Sequence, residues 1–340
     1  MGKKKIYILG SILFFLLLSF FMYNYNVMKK EKERITLENK EIENIKSSLS
    51  FLEKNNLIQI KRITEIDKLE FDIEFYDDNE EKFNEVLHSN IFKIDKKDKQ
   101  ITFINSKNEK KILINTNILE RIKMAIVIDD VGNHLRYIDD FKSINRPLTF
   151  AIIPFLSKSK ESNEKLKELG YETILHMPME GSLEKLNDNT KGLIYKNMSN
   201  ELIKEKFDEA FENVGEVSGF NNHMGSVFTT SSEKMEVVLN EAKSKGLFYF
   251  DSRTTAKSKG YELAKEMGIK TNYCMHFLDN NKDVEAIKKE IKKAIEITKQ
   301  RKKGAFIAHY HPNVAKAIKE SIDEIEKENI KIVSIDEVLE

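Results

Sequence analysis

From residue 123 onward, short β-branched and aromatic runs alternate with amphipathic helical patterns. The helical patterns cover 161–169, 201–213, 233–245 and 284–299. Regular alternation of strand and helix predicts an α/β fold with a parallel sheet, and about seven to eight strands predict a closed or nearly closed (β/α) barrel over 122–340. The candidate strands are 124–128, 148–153, 172–175, 217–221, 247–250, 271–277, 305–308 and 331–333.

The start of the chain is a nearly uncharged apolar run, 6–25, that follows three lysines. A hydrocarbon core of ~30 Å takes about 20 helical residues, so the run predicts a transmembrane anchor over 1–26. An A-x-A-like cleavage site is not evident, which favours an uncleaved anchor. Lysines on both flanks weaken the charge rule for orientation, but the hydrophilic bulk follows this single span. We expect the main domain on the extracytoplasmic side of the cytoplasmic membrane.

Two short segments follow the anchor. In 27–56, Ile35, Ile42 and Leu49 recur every seven residues, with Ile45 and Leu52 between them. This seam predicts a helical stalk of the kind that pairs into homodimers, although it lasts under three heptads and a glutamate occupies one slot. The region 57–120 predicts a small α+β module, with strands at 58–63, 71–75, 91–94, 101–104 and 111–114 and a helix at 80–87.

Composition narrows the function. With 56 basic and 56 acidic residues the chain is neutral, so nothing points to nucleic acid as a partner. The single cysteine, Cys274, excludes an intramolecular disulfide. All four prolines and eleven of the thirteen glycines occur at or after Gly132, so the turn-rich half is where a site is expected.

Two adjacent carboxylates, Asp129 and Asp130, end the buried strand at 124–128. Buried carboxylates are costly without a partner, so a metal ion or a reacting proton would compensate them. The alternative is a capped turn, because aspartate is common at turns and helix starts.

Histidines also fall at strand ends. His176 ends one strand, His223 follows another, and His309 with His311 closes a third. A lone histidine there is more often a hydrogen-bonding residue than a ligand, but in a barrel all these ends meet on one face. Imidazole and carboxylate suit zinc and similar ions, and a carboxylate beside the metal can take a proton from water. Metal-assisted hydrolases make a nucleophile at neutral pH in this way. Other polar residues near the strand ends are Glu180, Asn222, Asp251, Arg253 and Asp279.

These residues lie in segments whose order and spacing resemble the divergent branch of the polysaccharide deacetylase superfamily, over about 122–339. The resemblance implies a distorted (β/α) barrel. The segments are IDDVG (128–132), PLTFA (147–151), LHMPME (175–180), NNHMGS (221–226), DSRTT (251–255), FLDN (277–280) and AHYHP (308–312).

The resemblance also implies site roles. Asp129 corresponds to the general base, Asp130 and His176 to metal ligands, and His309 to the histidine that protonates the leaving amine, with His311 as its rival. Glu180 stands where the family has a second histidine, so either His223, which we favour, or Glu180 completes a metal site for which zinc is expected. The family's arginine segment is replaced by the segment at 221–226. The residues assigned to substrate binding are Asn222, Asp251 and Arg253.

The function expected from this resemblance is a metal-dependent hydrolase that removes acetyl groups from N-acetylated envelope polysaccharide or oligosaccharide. The alternative is a non-enzymatic envelope module that keeps the barrel and binds glycan or protein, because a fold does not fix a function. The replaced ligand and the missing arginine favour the alternative, and turnover on an acetylated glycan separates the two.

Overall fold

The computed structural model describes residues 2–55, 57–65, 68–76, 79–182 and 191–340, with the backbone alone for 2–13. The chain divides into two compact units, Met1–Arg121 and Ile122–Glu340, called here the sheet unit and the barrel unit.

In its described residues, the sheet unit contains one long helix, one short helix and five strands in the order β1-β2-β5-β4-β3. Strands β2 and β5 are parallel and the other pairs are antiparallel. The predicted strands and the short helix are present with small shifts of their ends. The elements are α1 (Gly2–Lys54), β1 (Gln59–Glu65), β2 (Leu69–Tyr76), α2 (Glu80–Val86), β3 (Lys93–Lys97), β4 (Gln100–Ile104) and β5 (Lys110–Leu119).

The apolar seam of α1 is partly buried within the same unit. Ile45, Leu49 and Leu52 pack in one core with side chains of the sheet, such as Phe71 and Ile112. The end of the predicted stalk therefore belongs to the core of the sheet unit, and pairing of two chains through α1 stays a prediction.

The predicted anchor begins before the described side chains. Among the helices whose side chains are described, none is long and apolar enough to cross a membrane. Residues 6–13 of the predicted apolar run lie outside that set, so the anchor also stays a prediction.

The barrel unit alternates strands and helices as its sequence predicts, and its strands pair in parallel. Its elements are β6 (Ile122–Val131), α3 (Ile138–Lys142), β7 (Thr149–Ile152), α4 (Ser159–Glu168), β8 (Glu172–Met179), α5 (Asn200–Val214), β9 (Gly219–Met224), α6 (Ser232–Ser244), β10 (Phe248–Asp251), α7 (Gly260–Glu266), β11 (Thr271–Tyr273), β12 (His276–Phe277), α8 (Val284–Arg301), β13 (Lys303–His309), α9 (Pro312–Lys327) and β14 (Ile330–Val333).

The sheet is curled, in the order β11-β10-β9-β8-β7-β6-β13-β12, with β14 beside the start of β6. The prediction of one strand over 271–277 is wrong, because this segment breaks into β11 and β12. The reason is its pairing. The Cys274 N–H donates to the Asp251 carbonyl, and the next N–H, of Met275, donates to the Ala305 carbonyl. The segment thus passes from β10 to β13 and links the two ends of the sheet.

Alternation along the strands decides which side chains face the barrel interior. On β6, Ala125 and Val127 pack in the interior core, whereas Ile126 and Ile128 pack against the helix layer. The same two-residue period puts Asp129 on the interior side. The corresponding positions on other strands are His176 after Ile174, Asn221 after Gly219, and His309 after Ile307.

Local sequence fixes the helices that follow the site strands. Ser199, Ser231 and Asp283 accept hydrogen bonds from backbone N–H groups at the starts of α5, α6 and α8, as helix N-caps do. His311 does the same for α9, and Pro312 occupies its first turn.

Candidate active site

Three side chains at neighbouring strand ends direct their donor atoms toward one another. Asp130 Oδ1 lies 3.0 Å from His223 Nδ1 and 3.3 Å from His176 Nε2, and the two nitrogens are 3.1 Å apart. These are the described residues that could share a metal ion. Tetrahedral zinc with bonds of about 2.0–2.1 Å spaces its ligand atoms by about 3.3 Å, close to the spacing found.

Asp130 reaches this cluster through an unusual backbone conformation. It follows Asp129, which faces the interior, so alternation alone would turn it toward the helix layer. Its φ of 65° is left-handed, which aspartate tolerates better than most residues, and the turn brings its carboxylate back to the site.

The electrostatics of Asp130 fit a bound cation. Its Oδ1 is buried and faces the ring nitrogens of His223 and His176 at 3.0 and 3.3 Å, and a buried carboxylate oxygen costs free energy unless such a partner or a cation is supplied. Burial alone raises the pKa of Asp130, but the imidazoles of His176 and His223 outweigh burial and hold the pKa well below its usual range. The two imidazoles thus favour the charged form of this carboxylate, the form that binds a metal.

Glu180 does not join the cluster. Its carboxylate accepts a hydrogen bond from the Lys196 N–H at 2.8 Å, and its carbonyl oxygen accepts from Val227 and Phe228. Of the two alternatives for the third ligand, His223 is the one whose ring nitrogen faces Asp130 and His176.

Asp129 lies beside the cluster and is almost fully buried, at 2% exposed. Its Oδ2 is 3.6 Å from His176 Nε2, and its Oδ1 accepts a hydrogen bond from Asn221 Nδ2 at 2.9 Å. Burial raises the pKa of Asp129, and the charge of His176 opposes the rise. A carboxylate with an upward-shifted pKa next to a metal position is suited to accept a proton.

Asn221 is a site residue that the sequence interpretation missed. Its Oδ1 lies 2.7 Å from His176 Nδ1, and its Nδ2 contacts Asp129. The signal was available, since Asn221 shares the strand face of His223 two residues later. Asn222, which the sequence analysis assigns to substrate binding, lies on the opposite face of the strand.

His309 faces the same end of the barrel and is held by Asp279. Its Nδ1 is 2.9 Å from Asp279 Oδ1, and its backbone N–H donates to Asp279 Oδ2. Burial lowers the pKa of His309, but Asp279 more than compensates and raises it to about 9. The rival His311 uses its Nδ1 to cap α9, where it accepts the Asn313 N–H. The pairing of an imidazole with a buried carboxylate favours His309 as the acid.

The assignment of Asn222 and Asp251 to substrate binding does not match the structure. Both are 1% exposed, and alternation turns both toward the helix layer. Asn222 bonds to Met224, Tyr249 and Ser252. The carboxylate of Asp251 accepts hydrogen bonds from the Arg253 N–H, the Ser258 hydroxyl and the Tyr261 N–H. They hold the loops after β9 and β10.

Arg253 remains a candidate for substrate contact. It is partly exposed at the end of β10, and its guanidinium lies 4.2 Å from the centre of the Tyr273 ring. A cavity of about 430 Å³ lies elsewhere in the barrel unit and is lined by other residues, Glu172, Ser218, Lys270 and Asp336 among them. This cavity lies at the amino-terminal ends of the strands, and active sites are seldom found at that end of a barrel.

Comparison with known proteins identifies the family of the barrel unit. The family model described as divergent polysaccharide deacetylase matches residues 126–339. An uncharacterised protein of Haemophilus influenzae is 31% identical over 214 residues, which are 63% of this chain and 75% of the relative. The uncharacterised protein YibQ of Escherichia coli is 27% identical over 201 residues, 59% of this chain and 62% of YibQ.

A solved structure supports the fold. The crystal structure of an uncharacterised protein from Agrobacterium tumefaciens superposes with a TM-score of 0.60 at 16% identity, and the match covers 65% of this chain and 90% of that one. At this identity the likeness concerns the fold alone.

Proposed function

The chain belongs to the divergent polysaccharide deacetylase family, and we propose that it is a metal-dependent hydrolase that removes acetyl groups from N-acetylated envelope polysaccharide or oligosaccharide. The observation that carries the proposal is the meeting of three metal-type donors, a buried carboxylate and a carboxylate-held histidine at one end of the barrel.

Asp130, His176 and His223 would hold the ion, and zinc suits a site of two imidazoles and one carboxylate. A divalent ion bound there supplies a Lewis acid that polarises the acetyl carbonyl and makes water a better nucleophile at neutral pH.

Asp129 acts as the general base in this proposal. Its Oδ1 is held by Asn221, so the carboxylate keeps a fixed direction toward the metal-type donors. It takes a proton from the attacking water as the new C–O bond forms, which avoids a charged nucleophile in the ground state.

His309 acts as the general acid. With Nδ1 engaged by Asp279, the nitrogen that remains for proton donation is Nε2. A pKa of about 9 keeps the ring protonated at neutral pH. The proton goes to the departing nitrogen when the C–N bond breaks, because an unprotonated amine is a poor leaving group.

The setting of the reaction is also a proposal. The apolar run at 6–25 supports attachment to the cytoplasmic membrane with the barrel unit on the extracytoplasmic side. An acetylated glycan of the envelope would then be within reach. Arg253, which is partly exposed, is the side chain that we expect to contact it.

The test is release of acetate by the purified full chain from N-acetylated chitooligosaccharides and peptidoglycan fragments, with zinc, cobalt, manganese or nickel supplied. We expect acetate release that a chelator abolishes and added metal restores. Tight binding of metal with no acetate from any of these substrates would contradict the proposal and favour the glycan- or protein-binding module.

A further inference from the structure

One amide connects the proposed base to a proposed metal ligand. We propose that Asn221 is a positioning residue that sets both the tautomer of His176 and the direction of Asp129. The proposal rests on the proposed function for its catalytic half, whereas its metal-binding half can be tested without turnover.

Asn221 makes both contacts from a position within the sheet. It is paired with His176 across β8 and β9 and is fully buried. Its two polar atoms face opposite partners, Oδ1 toward His176 Nδ1 at 2.7 Å and Nδ2 toward Asp129 Oδ1 at 2.9 Å. Because the residue is excluded from water, these two partners fix the orientation of its side chain.

The chemistry of the partners fixes which atom faces which. The amide NH₂ faces Asp129 and donates to its Oδ1, the direction required by a carboxylate that acts as a base. The amide oxygen must then face His176, and it can only accept, so His176 Nδ1 carries the hydrogen. When His176 gives up one proton to become a metal ligand, this hydrogen bond keeps the hydrogen on Nδ1 and leaves the lone pair on Nε2, the atom that faces Asp130 and His223. Through one side chain, Asn221 thus sets the tautomer of the ligand His176 and the orientation of the base Asp129.

Two substitutions separate the two contacts. Asn221→Leu keeps the approximate volume and removes both. Asn221→Asp keeps an acceptor for His176 Nδ1 but replaces the donor to Asp129 with a second carboxylate. Zinc affinity is measured on the full chain by competition with a chromophoric chelator, and acetate release gives kcat and KM.

We expect Asn221→Leu to weaken zinc binding by about 10- to 100-fold, as loss of a ligand-orienting hydrogen bond does. Asn221→Asp should bind zinc within about threefold of the wild type, or more tightly, since His176 keeps its acceptor. Both variants should lower kcat by about 10²-fold with little change in KM, because Asp129 loses the group that directs it.

The matched control is Asn272→Asp. Asn272 is a buried asparagine of β11 that donates to the Val338 carbonyl and accepts the Tyr273 N–H. This variant should unfold at a lower temperature, with zinc affinity and kcat unchanged. If a buried charge alone changed the zinc affinity or kcat of Asn221→Asp, the same change would appear in Asn272→Asp.

The proposal is overturned if Asn221→Leu binds zinc like the wild type, or if Asn221→Asp loses as much affinity as Asn221→Leu. Should Asn221→Leu not fold, Asn221→Ala removes the same two contacts without adding bulk and takes its place. If the wild type binds zinc but releases no acetate, the proposed function fails while the zinc affinities still decide the role of Asn221.

Discussion

Carboxylates in the two units have opposite environments. On the sheet unit, Asp72 lies in β2 beside Asn115 and pairs with Arg62 Nε at 2.6 Å, and these contacts lower its pKa. In the barrel unit, Asp129 is buried with an amide and an imidazole as neighbours, and burial raises its pKa. A carboxylate that is exposed to water and paired with a cation has a lowered pKa. A carboxylate removed from water has a raised pKa and is suited to transfer a proton or to bind a metal.

The largest expected effect is loss of the metal. Asp130→Ala and His176→Ala should each weaken metal binding strongly, because each removes one of three ligands. Loss of a residue that only hydrogen-bonds to a ligand typically weakens binding by about 10- to 100-fold, and we expect a larger effect here. Elemental analysis after dialysis against metal-free buffer measures the bound ion. Glu180→Ala is the control and should retain it. Full metal content in both variants would contradict the assignment of Asp130 and His176 as metal ligands.

The next effect concerns His309. Asp279→Asn removes the carboxylate that raises the pKa of His309 to about 9. Wild-type activity should fall as pH rises through about 9, since the acid must carry its proton. In the variant this fall should occur at lower pH, and kcat at neutral pH should drop by about 10²-fold.

The control for His309 is His276→Asn. His276 pairs with Glu290 of α8 at 2.5 Å, outside the cluster of site residues, so the variant should keep the wild-type pH profile. An unshifted profile in Asp279→Asn would show that Asp279 does not tune the acid.

A smaller effect concerns stability and pH. Burial raises the pKa of Glu172 from 4.5 to about 7, although Thr149 donates a hydrogen bond to it. The folded state therefore holds this proton more tightly than the unfolded state. Its contribution to stability is complete below about pH 4.5 and is lost as pH rises to about 7.

Glu172→Gln mimics the protonated side chain, so the gain in free energy of unfolding over the wild type should be larger at pH 8 than at pH 4.5, by roughly 1–3 kcal/mol. Urea unfolding at the two pH values measures it. Glu168→Gln, on the exposed end of α4, should leave the pH dependence unchanged. A parallel dependence in wild type and Glu172→Gln would contradict the role of burial here.

The smallest effect is expected on the sheet unit. Arg62→Ala removes the cation that pairs with Asp72, but the arginine side chain is 63% exposed. Exposed pairs contribute at most about 1 kcal/mol, so the free energy of unfolding should change by less than that. Metal binding should not change, and a loss of metal would contradict the assignment of the metal to residues of the barrel unit.

The sequence predicted the alternating strands and helices and their parallel sheet, and it placed polar residues at the strand ends, because each depends on short-range pattern; it predicted a closed or nearly closed barrel, whereas the sheet is curled. The pattern did not predict the break within 271–277, since it arises from hydrogen bonds to two strands distant in sequence.

Errors in the site had a different origin. Adjacent polar residues such as Asn221 and Asn222 look alike in sequence, yet alternation sends one to the interior and the other to the helix layer. Knowing which face is interior requires the packed sheet. Asp130 escapes the same rule only through its left-handed φ, which a strand pattern does not indicate.

The most direct test of the account is Asp129→Asn in the full chain, with metal content and acetate release measured on the same preparation. Asparagine keeps the shape of the side chain but removes the base. The account predicts a folded variant with wild-type metal content and acetate release lowered by about 10²- to 10⁴-fold. Equal acetate release by the variant and the wild type would contradict it and remove Asp129 from the mechanism.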